Sequence, residues 1–118
     1  MGTKVKDVMH RGAETVRPDD TVKQAAVRME ACEVGPLPVC DGERLVGVIT
    51  DRDITVRAVA MGRDPNTTTV RETMSADEVV WCQEDQDLDE AVSLMRSKEI
   101  RRLPVLDAKK RLVEGSVH

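Results

Sequence analysis

The sequence predicts an α/β (α+β) protein in which one β-α-β-β-α unit is used twice, and three observations predict it. Val22 to Met29 (VKQAAVRM) returns as Leu88 to Met95 (LDEAVSLM), and Leu37 to Asp41 (LPVCD) returns as Leu103 to Asp107 (LPVLD), both at an offset of 66 residues. A repeat of that length exceeds a solenoid unit and marks a duplicated supersecondary unit. Trp81 is the only aromatic residue among 118. The core must therefore come from Val, Leu, Ile, Met and Ala, which suits strands packed under helices. Within each copy, a segment of helical period is followed by apolar runs of strand length, bounded by turn residues.

Taken in order, Val5 to Met9 is a short amphipathic turn, matched later by Val70 to Met74. Arg17-Pro-Asp-Asp-Thr21 is loop chemistry, and one of its acids or Thr21 should cap the helix that follows. That helix runs from Val22 to Cys32, with Val22, Ala25, Ala26 and Met29 on one face, and Gly35-Pro36 stops it. Leu37 to Cys40 is a strand, Asp41-Gly42 a turn, and Leu45 to Ile49 a second strand. Asp51 to Met61 forms another helix, closed by Gly62. In the second copy Val79-Val80-Trp81 reads as a strand, and Asp87 to Ser97 as a helix with Leu88, Ala91, Val92 and Met95 inward. Leu103 to Leu106 is the next strand, and a final one lies near Leu112-Val113.

This organisation divides the chain into residues 1–62, a linker over 63–69, and residues 70–118. The copies diverge at their ends. The first continues through Gly47-Val-Ile-Thr-Asp-Arg-Asp53 into a helix, whereas the second breaks off within Glu114-Gly-Ser-Val-His118. The second unit is therefore expected to be truncated at its C-terminal strand and helix. Aligned by strands, Thr50 matches Val117, and the counterpart of Asp53 falls past the last residue. A missing helix would leave apolar surface that another chain or a rearranged terminus must cover, and a homodimer or higher assembly, with or without exchanged elements, is expected.

Composition narrows the function classes. A net charge of −4 argues against a nucleic-acid partner, and so does the lack of aromatic stacking residues. Cys32, Cys40 and Cys82 are odd in number and lack C-x-x-C spacing, so with His10 and His118 they form no recognisable metal set. They read as thiols in a reducing compartment, which points to the cytoplasm. Neither a signal peptide nor a membrane-spanning stretch is legible, and Lys6 stands where a myristoylation signal wants Ser or Thr. No Ser/His/Asp set, Cys–His pair, phosphate-binding G-x-x-x-x-G-K-[ST] loop or metal cluster is present, so no catalytic residues are assigned. Asp51, Arg52 and Asp53 could orient magnesium and a phosphate, but so short a cluster does not make an enzyme.

The residues that remain have local readings. Thr50 and Asp53 are spaced as a capping box, the threonine closing a helix and the acid reaching back. The same carboxylate could accept from two vicinal hydroxyls, as on a ribose. Arg101-Arg102 reads as solvated charge at a helix C-terminus, and Arg52 as an exposed helix residue. Val48, Val79, Val80 and Pro104 read as ordinary core.

The duplicated unit with Leu37-Pro-Val39 and Leu103-Pro-Val105 resembles a tandem pair of CBS domains, named after cystathionine β-synthase. Gly47-Val-Ile-Thr-Asp-Arg-Asp53 and Met61-Gly-Arg-Asp-Pro-Asn-Thr67 are similar to segments of small stand-alone bacterial CBS-pair proteins. The resemblance extends from Val5 to Val113. It implies a pseudo-two-fold pair, commonly assembled as a homodimer. It implies an adenine nucleotide (AMP, ADP, ATP, S-adenosylmethionine or an NAD-type ligand) bound between the repeats for regulation, with no cofactor required. By that resemblance Thr50 and Asp53 would hold the ribose, Arg101, Arg102 and Arg52 the phosphate, and Val48, Val79, Val80 and Pro104 the adenine. The alternative is a structural or protein-interaction module with no bound nucleotide.

Overall fold

The computed structural model describes residues 2–11, 14–76 and 79–117, those at 10, 11 and 114–117 through their backbone only. In chain order the elements are helix α1 (Val5–Val8), strand β1 (His10–Arg11), α2 (Val22–Cys32), β2 (Leu37–Asp41), β3 (Arg44–Ile49) and α3 (Asp51–Ile54). They continue with α4 (Val70–Thr73), β4 (Cys82–Gln83), α5 (Leu88–Lys98), β5 (Leu103–Leu106) and β6 (Leu112–Val117). The chain forms two compact units, residues 14–79 and residues 1–13 with 80–118. These units cut the chain differently from the sequence repeats. The short helix that leads each repeat, α1 or α4, belongs to the unit formed by the other repeat's strands.

In residues 14–79, Thr21 caps α2 in a reciprocal box. Its Oγ1 accepts the Gln24 N–H at 3.1 Å, and Gln24 Oε1 accepts the Thr21 N–H at 2.7 Å. The sequence expectation that Gly35-Pro36 ends this helix needs correcting. Glu33, at φ 54°, ends it two residues earlier, and its N–H bonds Glu30 O. Glu99, at φ 55°, does the same for α5. The left-handed turn closes the last carbonyls of each helix even without glycine.

Val22, Ala25 and Met29 face inward as expected, while Ala26 is exposed. β2 and β3 form an antiparallel hairpin with Leu37 opposite Ile49 and Val39 opposite Gly47, turning at Gly42 (φ 65°). Single bridges extend it on both sides, Val16 parallel to Val39 and Ser75 antiparallel to Val48. Gly47 is required there, because a Cβ would lie 2.9 Å from the Ser75 carbonyl oxygen. The core is Val16, Ala25, Met29, Leu37, Val39, Ile49 and Val70. The linker over 63–69 packs on this unit, with Val22 N–H bonded to Thr68 O at 2.9 Å and Lys23 N–H to Pro65 O at 3.0 Å.

The expected single helix over Asp51 to Met61 is α3 followed by a π-helical turn, Thr55–Val59. Its wide bonds include Ala60 N–H to Thr55 O at 2.8 Å, and Gly62 closes it at φ 70°. Ile54, Thr55, Val56 and Val59 are β-branched, and Thr55 Oγ1 donates back to Asp51 O at 3.0 Å. Both features loosen an α-helical ladder.

The other unit carries a four-stranded sheet in the order β1-β6-β5-β4, with the β5–β4 pair parallel and the other two pairs antiparallel. The strand expected at Val79-Val80-Trp81 begins only after it, at Cys82, because Cys82 and Gln83 are the residues that meet Val105 and Leu106. The last strand runs to Val117, well past the expected Leu112-Val113. Val5, Cys82, Ala91, Leu103 and Val105 form the core, with Leu88 and Met95 packed partly buried against it.

Candidate functional site

Thr50 and Asp53 are the pair that the fold brings together most tightly. Ile49 is fully buried at the end of β3, so the next residue emerges at the sheet edge just as the chain turns into α3. Asp53 Oδ2 accepts the Thr50 N–H at 2.9 Å, and Thr50 Oγ1 accepts the Asp53 N–H at 3.1 Å. The capping box of the local reading is therefore formed. It leaves capacity over: Asp53 Oδ1 accepts no bond from a described residue, and both side chains are half-buried. A carboxylate oxygen with no partner among the described residues, beside a half-buried threonine, is an acceptor set suited to a diol.

Arg52 is exposed beside them, and its N–H bonds Asp51 Oδ1 at 3.0 Å. Val48 lies half-buried in β3, opposite Pro38 on one side and bridged to Ser75 on the other, and Val79 is half-buried in the same unit. In the other unit, Val80 packs against the Val5–Leu103 core, and half-buried Pro104 pairs with Ser116 in the sheet. Arg101 and Arg102 are exposed, directly after α5 and directly before β5. Neither guanidinium meets a carboxylate or a carbonyl among the described residues.

The sequence reading missed Arg57. Its Nη1 donates to Thr73 O at 3.3 Å and Met74 O at 3.2 Å, tying the π-helical turn to the end of α4. No local pattern marks it, since the two segments meet only through the fold. Asp107 is held below the ordinary carboxylate range, chiefly by the Arg111 backbone N–H, aided by the Lys109 N–H and the Arg111 guanidinium.

Cys40 and Cys82 are buried thiols, and Cys32 is half-buried. Burial pushes Cys40 and Cys82 up to about 11 from an ordinary 9.0. With Ellman's reagent near pH ~8, Cys32 is expected to react promptly and the other two only after denaturant is added. Because the fold favours the neutral thiols, their contribution to stability is full below about pH 9.0. It is lost as the pH rises through about 11. Urea melts across that window check the sign. Among the described residues no group of three or more His, Cys, Asp or Glu is placed to hold a metal, and no helix is long and apolar enough to cross a membrane.

The profile of the CBS domain matches residues 5–60 and again residues 56–118. Hypoxic response protein 1 of Mycobacterium tuberculosis is 36% identical over 105 residues, covering 88% of this chain and 73% of that protein. The crystal structure of Hypoxic Response Protein I with two coordinated zinc ions superposes with a TM-score of 0.84 at 35% identity, over 98% of this chain and 92% of that one. CBSX2 in complex with AMP superposes at 0.81 with 27% identity, over 98% and 90%. The CBS domain pair of protein MJ0100, in complex with 5′-methylthioadenosine and S-adenosyl-L-methionine, superposes at 0.78 with 31% identity, over 98% and 92%.

Proposed function

The chain belongs to the CBS-domain family and carries the domain twice, and on that premise we propose that it is a non-catalytic regulatory module that binds an adenine nucleotide of the AMP or ATP type. The observation that carries this reading is the Thr50–Asp53 pair, which closes a helix and still keeps one carboxylate oxygen for a ligand. Relatives of the same fold support the class of ligand, one holding AMP and another 5′-methylthioadenosine and S-adenosyl-L-methionine. Asp53 and Thr50 take the ribose hydroxyls. Arg101, Arg102 and Arg52 take phosphate, for which a guanidinium fork is the suited donor. Val48, Val79, Val80 and Pro104 offer the adenine half-buried apolar surface. Occupancy regulates by favouring one arrangement of the chain over another, by no more than the ligand's difference in affinity for the two.

Titration calorimetry with AMP, ATP, NADH and S-adenosylmethionine tests the reading. Saturable heat for at least one of them is expected, and silence from all four would end it. A homodimer belongs to the same proposal. Val56, Val59 and Met61 are 51%, 66% and 69% exposed after the helix of the site, an apolar stretch that a second copy would cover. Light scattering at micromolar concentration should give twice the chain mass, and a clean monomer would remove the dimer from the proposal.

A further inference from the structure

The unit formed by residues 80–117 is completed by a piece of chain with no covalent neighbour inside it. Val5 is fully buried there among Cys82, Ala91, Leu103 and Val105, with Met9 packed beside it. The backbone is tied at three points: Val5 N–H to Gln86 O at 2.9 Å, Lys6 N–H to Glu84 O at 2.9 Å, and Leu88 N–H to Thr3 O at 2.8 Å. Lys4 Nζ lies 2.7 Å from Asp87 Oδ1 and Lys6 Nζ 3.1 Å from Asp85 Oδ1, while β1 adds an edge strand to β6. The equivalent segment of the other unit makes the same three backbone bonds, Val22 N–H to Thr68 O, Val70 N–H to Asp20 O and Arg71 N–H to Pro18 O. That segment, however, is continuous in sequence with everything it packs on. Residues 3–11 reach their own unit only through residues 14–79, which form a different one.

We infer that residues 3–11 are a detachable strap, and that the groove receiving them is a docking site for a short segment of one chemistry, a single helical turn whose buried aliphatic residue is flanked by two lysines. The aliphatic side chain fills the core, and the two aspartates set register by charge. Exposed ion pairs contribute little affinity, so burial of Val5 holds the strap and Asp85 and Asp87 select it. Residues 14–79, with a contiguous chain and a core of their own, keep their structure when the strap leaves.

The test uses the full chain carrying Val5→Asp, because a carboxylate cannot be buried unpaired in an apolar core. Amide exchange at Cys82, Val105 and Leu106 is expected to quicken about 100-fold, while Cys40, Val48 and Val70 stay within about 3-fold of the parent protein. A synthetic peptide of residues 2–11, added in excess, should slow the first group again. The same peptide with Lys4→Glu and Lys6→Glu should fail, and should succeed on the chain that also carries Asp85→Lys and Asp87→Lys. Equal loss of protection in both units, no loss in either, no restoration by the peptide, or indifference to the charge exchange would each overturn the inference.

Discussion

Asp53→Asn is expected to raise the dissociation constant of the bound adenine nucleotide by about 30-fold, the equivalent of about 2 kcal/mol. In the proposed site the carboxylate accepts from both ribose hydroxyls, and hydrogen bonds to a charged acceptor are the stronger kind. An amide has one acceptor oxygen, and that oxygen is already taken by the Thr50 N–H, which Asp53 Oδ2 accepts at 2.9 Å. The remaining position would present N–H to a hydroxyl that wants to donate. The helix cap survives, so folding should lose less than about 1 kcal/mol. That separation makes the test decisive, because a variant that melts normally yet binds poorly cannot be explained by a damaged fold. Undiminished affinity in Asp53→Asn would refute the assignment of the ribose to this residue.

The arginines admit a sharper version of the same experiment. If Arg101 and Arg102 serve the phosphate, replacing them by alanine should erode the preference for AMP over adenosine and leave adenosine affinity almost unchanged. Combined with Asp53→Asn, the losses should add in free energy, since the two ends of one ligand are being weakened separately. A loss equal for AMP and adenosine would assign the arginines a structural role instead.

Much of this molecule was legible in its sequence because the signals are local. The 66-residue echo fixes the duplication, and the period of Val22, Ala25 and Met29 fixes which face of α2 enters the core. Thr50 and Asp53 are three residues apart, so their reciprocal bonds follow from spacing alone. What escaped depends on partners distant in sequence. Val79, Val80 and Trp81 have the side chains of a strand, yet a ladder needs a neighbour, and the neighbour offers Val105 and Leu106 to Cys82 and Gln83 only. Arg57 finds its carbonyls sixteen and seventeen residues away, at the end of α4 and just past it. The widened turn after Ile54 could have been suspected from its β-branched run, which disfavours an α-helix without dictating what replaces it. Nothing local announces that α1 completes the fold of residues 80–117, because Val5 and Leu103 meet only once the whole chain is folded.

Leu37→Ala and Leu103→Ala are each expected to cost about 3–4 kcal/mol, which is a large share of the total stability of a small domain. The two leucines are the same residue of the repeat and are buried alike, 1% and 0% exposed, at the start of β2 and of β5. Each side chain belongs to a different core, Leu37 with Met29, Val39 and Ile49, and Leu103 with Val5, Ala91 and Val105. With no aromatic residue in either cluster to lean into the space, the vacated volume stays open as a cavity, and the cost lies well above that of transfer alone. Urea unfolding should report similar losses for the two variants, while amide exchange should separate them. Leu37→Ala should quicken exchange at Cys40 and Val48 and spare Val105, and Leu103→Ala should do the converse. A loss below about 1 kcal/mol in either variant would mean that its cluster is not packed as described. Equal exchange at all sites in both variants would mean that the two units melt as one cooperative body.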